Sequence, residues 1–184
     1  MYRLLLVVVA ITLISCAYLP PADPVPRDGD AVIAQDDSRD DTIEVVGQLP
    51  MARPQLEGRI LALVNRERES AGVKPLFFSP ELARAARRHS SAMAQAGFFE
   101  HRGEGEAALF ERVTASGTAT DHVGENIFET NEGGSGAVAD ECVRMWMQSD
   151  GHRLNLLSPE FDKTGIAVGI SRSGENYITE DFAH

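Results

Sequence analysis

The chain has 184 residues, 17 Lys+Arg against 28 Asp+Glu for a formal charge of −11, and 43% hydrophobic residues. This composition excludes collagen-like, coiled-coil and wholly disordered chains, and the acidic balance excludes a nucleic-acid partner, which needs a basic stripe to displace counterions. The length suits one compact domain with appendages, and two cysteines, Cys16 and Cys142, cannot build a multi-disulfide scaffold or a cysteine-based zinc site.

Residues 4–15 are an uncharged apolar run behind Arg3. The run is shorter than the roughly 20 residues of a spanning helix and fits the core of a signal peptide. It ends Leu13-Ile14-Ser15-Cys16, which resembles the bacterial lipobox. The resemblance implies a lipoprotein signal peptide over residues 1–15. It also implies acyl chains such as palmitate on Cys16, the durable kind of membrane anchor. Residues 16–50 read as a disordered tether. Five of the nine prolines (Pro20, Pro21, Pro24, Pro26, Pro50) and eight acidic residues against Arg27 and Arg39 stiffen and extend it. Residues 42–46 carry a weak strand signal.

Residues 51–184 have the pattern of a packed domain. Leu56, Ile60, Leu63 and Val64 recur at helical spacing, and Gly72 stops that helix. Ser79-Pro80 is a cap with a first-turn proline. Leu82, Ala85, Ala86, His89, Met93 and Ala96 then share a face that ends at Gly97. A shorter helix is expected over residues 106–116, and Gly133-Gly134-Ser135-Gly136 reads as a loop. Val138, Glu141, Cys142, Met145 and Trp146 mark another helix ending near Ser149. Ile166, Val168 and Ile170 alternate with Gly165, Ala167 and Gly169, a strand with one thin face. A polar turn over residues 171–176 joins it to an alternating run over residues 177–182, giving a hairpin. The class is α+β with a small antiparallel sheet.

Few side chains are chemically capable. His89, on an apolar helix face, reads as a hydrogen-bonded core group. His101 follows Gly97-Phe98-Phe99-Glu100, so a loop presents it. His152 sits in the turn Ser149-Asp150-Gly151-His152-Arg153, and Glu125 in Gly124-Glu125-Asn126. Two imidazoles and a carboxylate are the ligand types of open zinc sites, but no HExxH-like pair supports the set locally. No Gly-x-Ser-x-Gly elbow signals a serine hydrolase. Cys142 falls on an apolar helix face and reads as a small buried hydrophobe. Trp146 and Phe182 read as core, and Asn65, Asn126, Arg153 and Asn155 as hydrogen-bonding supports.

The segment Leu63-Val64-Asn65-Arg66-Glu67-Arg68 resembles the opening of a bacterial CAP (SCP-type) domain. That superfamily holds the cysteine-rich secretory, antigen 5 and pathogenesis-related-1 proteins. Gly97-Phe98-Phe99-Glu100-His101, Arg112, Gly117 and Gly124-Glu125-Asn126-Ile127 follow in order. Trp146-Met147-Gln148-Ser149-Asp150-Gly151-His152-Arg153-Leu154-Asn155-Leu156-Leu157 resembles the family's Trp-x-x-Ser-x-Gly-His-Arg-x-Asn-Ile-Leu block, and Phe161, Gly165, Tyr177 and Asp181-Phe182 complete the match. The resemblance implies a three-layer α-β-α sandwich with a shallow cleft. In the cleft His101, His152 and Glu125 converge and hold Zn2+ or another divalent cation. Animal members have a second glutamate three residues after the helix tryptophan. Here that position is Ser149, which cannot act as a general base. The last strand reads Thr179-Glu180 where the family usually has Thr-Gln.

Three functions stay open at this point. The first is a non-catalytic binding module on the bacterial cell envelope, anchored at Cys16, with a lipid, glycan or peptide ligand. The second is a metal-assisted hydrolase with His101 and His152 as ligands and Glu125 as catalytic base. The third is a structural domain whose His/Glu network is buried for stability.

Overall fold

A computed structural model describes residues 53–131 and 135–184. The expected signal peptide, Cys16 anchor, tether and weak strand all fall on residues 1–52, outside the described residues. Helix α1 (Pro54–Ser70) starts on a first-turn proline and buries Leu56, Ile60, Leu63 and Val64. Strand β1 (Phe77–Phe78) follows, and then α2 (Pro80–Ala96). The Ser79 hydroxyl accepts from the Leu82 amide at 3.2 Å to start α2, and Gly97 in the left-handed region at φ 68° ends it.

Helix α3 (Leu109–Thr114) is shorter than the expected residues 106–116. Gly105 sits at φ 72°, and the Glu106 carboxylate accepts from the Gly103 amide at 3.0 Å, so this stretch is committed to a turn. Strand β2 (Val123–Thr130) leads to α4 (Ser135–Gln148) and α5 (Asp150–Leu157). Of the expected glycine loop, Gly133 and Gly134 lie outside the described residues, while Ser135 and Gly136 already belong to α4. Strands β3 (Lys163–Ile170) and β4 (Asn176–Ala183) form the predicted hairpin.

The sheet order is β1-β3-β4-β2. Both β2 and β3 run antiparallel to β4. The expected antiparallel sheet is there, and the short edge strand β1 adds to it in parallel with β3 through Phe77↔Lys163 and Phe78↔Thr164. Two exposed residues are too few to show alternation. Helix α2 covers one face of β3 and β4, and α1 and α4 pack together over the other. The main core fills that second interface, with Trp146, Phe161, Phe182, Leu56 and Ile60 all nearly or fully buried. The Trp146 indole donates from Nε1 to the Ile127 carbonyl at 2.9 Å, fixing α4 to β2.

The thin face of β3 has a direct cause. A Cβ on Gly165 would lie 2.0 Å from the Ala83 amide nitrogen, and one on Gly169 would lie 2.2 Å from the Ser90 carbonyl oxygen. The α2 backbone rests on those two glycines. At the β3 edge, Glu57 accepts from the Val168 amide at 3.1 Å and pairs with Arg87 at 2.7 Å, while Arg87 donates to the Val168 carbonyl at 3.3 Å. An ion pair from two helices thus stands in for a neighbouring strand.

Candidate functional site

The loop after Gly97 presents His101, whose side chain is 36% exposed. Strand β2 carries Glu125, 1% exposed, beneath it. His101 Nδ1 lies 2.8 Å from Glu125 Oε1. Arg112 of α3 donates from Nη2 to Glu125 Oε2, and from Nη1 to the carbonyls of His101 at 3.1 Å and Ala107 at 3.3 Å. One guanidinium therefore holds both the carboxylate and the backbone of the histidine it serves.

Behind this pair lies His89, fully buried on α2 as expected of a core histidine. Its Nδ1 is 2.8 Å from Glu106 Oε1, and its Nε2 is 3.8 Å from Glu125 Oε2. Asp181 of β4 lies across from Glu125 in the strand register and is fully buried. Burial pushes the Asp181 carboxyl well above its ordinary range, and the Glu125 charge adds to that push. Burial also pushes Glu125 up, but the His101 hydrogen bond and the Arg112 charge outweigh it and hold the group below its ordinary value. Of the facing pair, Glu125 is thus the ionised carboxylate and Asp181 the neutral acid behind it.

Because Glu125 is ionised and can only accept, His101 Nδ1 carries the hydrogen between them. Its Nε2 is then the ring nitrogen left for a cation, a ligand or a proton. His152, in the first turn of α5, is half-buried. Burial lowers its pKa, and the charge of His101 lowers it further. The β2–α5 contact is set by amides. Asn126 donates to the His152 carbonyl at 3.2 Å, and Asn155 donates to the Glu125 carbonyl at 3.0 Å and to the Asn126 side chain. Arg153 braces the turn through the Met147 carbonyl at 3.1 Å and Asp150. A surface hollow of about 420 Å³ along α5, lined by Asp150, Arg153, Leu154, Leu157, Ser158 and Pro159, includes none of the three expected ligands.

The donor set fits a cation only in part. Glu125 has one oxygen on His101 and the other on Arg112. Among the described residues no group of three or more His, Cys, Asp or Glu side chains could hold a metal ion. What remains is the pair of imidazoles, with Glu125 standing behind His101 as the carboxylate partner that orients metal-binding histidines.

A profile of the family described as "CAP: Cysteine-rich secretory protein family" matches residues 61–182. The chain belongs to the CAP family. It is 33% identical over 125 residues to the uncharacterized protein YkwD of Bacillus subtilis, covering 68% of this chain and 46% of that protein. A structure of an extracellular SCP-domain protein from Bacillus anthracis superposes with TM-score 0.61 at 27% identity, over 71% of this chain and 41% of that one. The structure of NaASP2 with Zn2+ shares the fold at TM-score 0.53 and 16% identity, over 71% of this chain and 80% of that one. The chain thus spans less than half the length of YkwD and of the Bacillus anthracis protein. No described helix is long and apolar enough to cross a membrane.

The residues that sequence reasoning missed are Glu106 and the Arg112–Glu125 pairing. Glu106 stands in a short acidic, glycine-containing loop with no periodic signal, and Arg112 carries no local sign that it reaches β2.

Proposed function

We propose that this CAP domain is a non-catalytic, extracytoplasmic binding module, tethered to the cell envelope by acylated Cys16. Its His101 and His152 imidazoles hold a divalent cation such as Zn2+ and present it to a small lipid- or glycan-like ligand. The observation that carries this reading is the full engagement of Glu125. A carboxylate held below its ordinary pKa, with both oxygens already bonded, is a poor general base. It is a good partner for a ligating histidine. Ser149 gives no second carboxylate to replace it. These features weigh against the hydrolase reading. A bound cation would supply Lewis acidity and a fixed positive charge, and this chain's residues would orient the two rings. The extracellular SCP protein of Bacillus anthracis supports the extracytoplasmic placement. The zinc in NaASP2 concerns a distant relative, so the cation reading rests on the imidazoles of this chain.

One observation favours a structural reading instead: His89, Arg112, Glu125 and Asp181 are all buried. Thermal melts with and without millimolar Zn2+ separate the two. The binding reading expects Zn2+ to raise the melting temperature, and H101A/H152A to abolish that rise. No rise in the wild type, or the same rise in the double variant, refutes it. Acyl labelling that persists in C16S would refute the anchor.

A further inference from the structure

The loop that carries His101 is closed on itself and pinned to α2 by one side chain, Glu106. Residues 103–106 form a tight turn. The Glu106 amide donates to the Gly103 carbonyl at 3.1 Å, and Gly105 takes the left-handed conformation at φ 72°. The Glu106 carboxylate folds back over that turn and accepts from the Gly103 amide at 3.0 Å. It also meets His89 Nδ1 with both oxygens, at 2.8 and 2.9 Å. His89 is fully buried on α2, so the anchor point belongs to the core.

Gly103 is buried as well. A Cβ there would lie 2.5 Å from the Phe98 ring. Phe98 in turn packs against the buried cluster of Met93, Ala94, Ile127 and Tyr177, and its ring centroid lies 6.1 Å from that of His89. Both ends of the loop are thereby fixed, at Phe98 and at the 103–106 turn, while Phe99, Glu100 and Arg102 stay exposed around His101. Arg112 reaches the same loop through the His101 carbonyl at 3.1 Å. One bond to a carbonyl fixes a point of the main chain, not the direction of the ring that leaves it. That direction follows the backbone on either side of His101, which the Glu106 turn sets.

We propose that Glu106 is the positioning residue for His101: by joining the Gly103 amide to His89 it shapes the loop so that His101 Nδ1 meets Glu125 and Nε2 is the nitrogen offered to a ligand. Without Glu106 the His89 N–H is a buried donor short of its acceptor, and the turn loses the carboxylate that closes it. The bearing on a ligand rests on the binding reading above; the shape of the loop does not.

The test is the tautomer of His101, read from imidazole nitrogen-15 shifts of the metal-free full-length chain at pH 8 and assigned by their loss in H101A. A neutral ring held by a carboxylate at Nδ1 keeps its hydrogen there, whereas an unheld ring carries it mainly on Nε2. Wild type should show the Nδ1–H form, and E106A should move most of the population to Nε2–H. V64A, which loosens the core on the other side of the sheet, should keep the Nδ1–H form. An unchanged tautomer in folded E106A overturns the proposal. So does Nε2–H in the wild type, or the same change in V64A, which marks general loosening. If E106A does not fold, G103A decides by the same outcomes, since its Cβ forces Phe98 and the turn apart. Failure of the cation reading, seen as no Zn2+ rise in the wild-type melt, leaves this test intact because the tautomer is read without metal.

Discussion

Glu125→Gln keeps the shape of the group at the centre of the site and removes its charge. Glu125 is 1% and Arg112 4% exposed, so the guanidinium stays in the interior. Stripping a buried ion pair of one partner ordinarily costs about 3–5 kcal/mol. Here a substitute is in place. Asp181 faces Glu125 across the β2–β4 register, Arg112 already pulls its pKa down, and the Glu125 charge is one cause of its neutrality. With that charge gone, Asp181 can ionise against Arg112. The expected loss for E125Q falls to about 1–3 kcal/mol, the cost of leaving His101 or Arg112 one acceptor short. D181N alone should be neutral or stabilising at pH 7, because Asn cannot ionise. Neither Asp181 oxygen has a hydrogen-bond partner, so the substitution breaks no bond. E125Q/D181N should cost the full 3–5 kcal/mol or so, exceeding the sum of the singles. Urea unfolding followed by circular dichroism at pH 7 measures all four corners of the cycle. Additive values would refute the handover of charge from Glu125 to Asp181. The pH dependence follows the same logic. Glu125, lowered in the fold, contributes stability that is present above its ordinary 4.5 and lost as pH falls through its folded value. Asp181 and Glu180, both raised, impose a cost that is absent below their ordinary 3.8 and 4.5 and grows as pH rises towards their folded values. The wild type should therefore be most stable on the mildly acidic side of neutrality, and E180Q should shift that maximum upward.

Three other substitutions check the packing that positions the site. Gly169→Ala should destabilise by at least about 1–3 kcal/mol in urea titrations, since its Cβ would meet the Ser90 carbonyl oxygen at 2.2 Å. Gly58→Ala in α1, with nothing within 4 Å of the new methyl, should instead stabilise by about 0.5–1 kcal/mol; the same sign for both would undercut the close approach of α2 to β3. Trp146→Phe should cost about 1–3 kcal/mol by stranding the Ile127 carbonyl, and an unchanged urea midpoint would show that the indole hydrogen bond is dispensable.

Much of the scaffold was legible because its causes are local. Ser79-Pro80 and Gly97 bracket α2, and the alternation of Ile166, Val168 and Ile170 with small residues marks β3. Glycines opposite a helix read in sequence as one thin face, and the α2 backbone is the physical reason. β1 was not legible, because two exposed phenylalanines carry no period. Nor was the true start of α3, where Gly105 and the Glu106 carboxylate override helical spacing. In the site, only the resemblance groups His101, Glu125 and His152, since each sits on a different element; the His101–Glu125 contact is there at 2.8 Å. What the sequence does not show is that Arg112 takes one oxygen of Glu125, because that is decided by how α3 docks on β2. No spacing rule records that docking.

The adjacent pair Glu180-Asp181 shows why one strand matters to both halves of the molecule. Strand alternation sends Asp181 towards Glu125 and Arg112, and Glu180 towards Arg68 and the α1–α4 core. Each carboxyl is buried and raised, and each has one arginine as the cation acting on it. The two arginines are differently placed. Arg112 already carries an ionised partner in Glu125, so Asp181 needs no charge of its own while that partner remains. Arg68 is held by the backbone carbonyls of Lys74, Leu156 and Ser158. Of two neighbouring acids on β4, one is therefore a reserve for the site and the other lies with Arg68 on the opposite side of the strand. The distinction predicts opposite couplings. D181N should interact strongly with E125Q and weakly with changes at Arg68. E180Q should do the reverse, and a double-mutant cycle that pairs E180Q with E125Q more strongly than with R68M would overturn this division of roles.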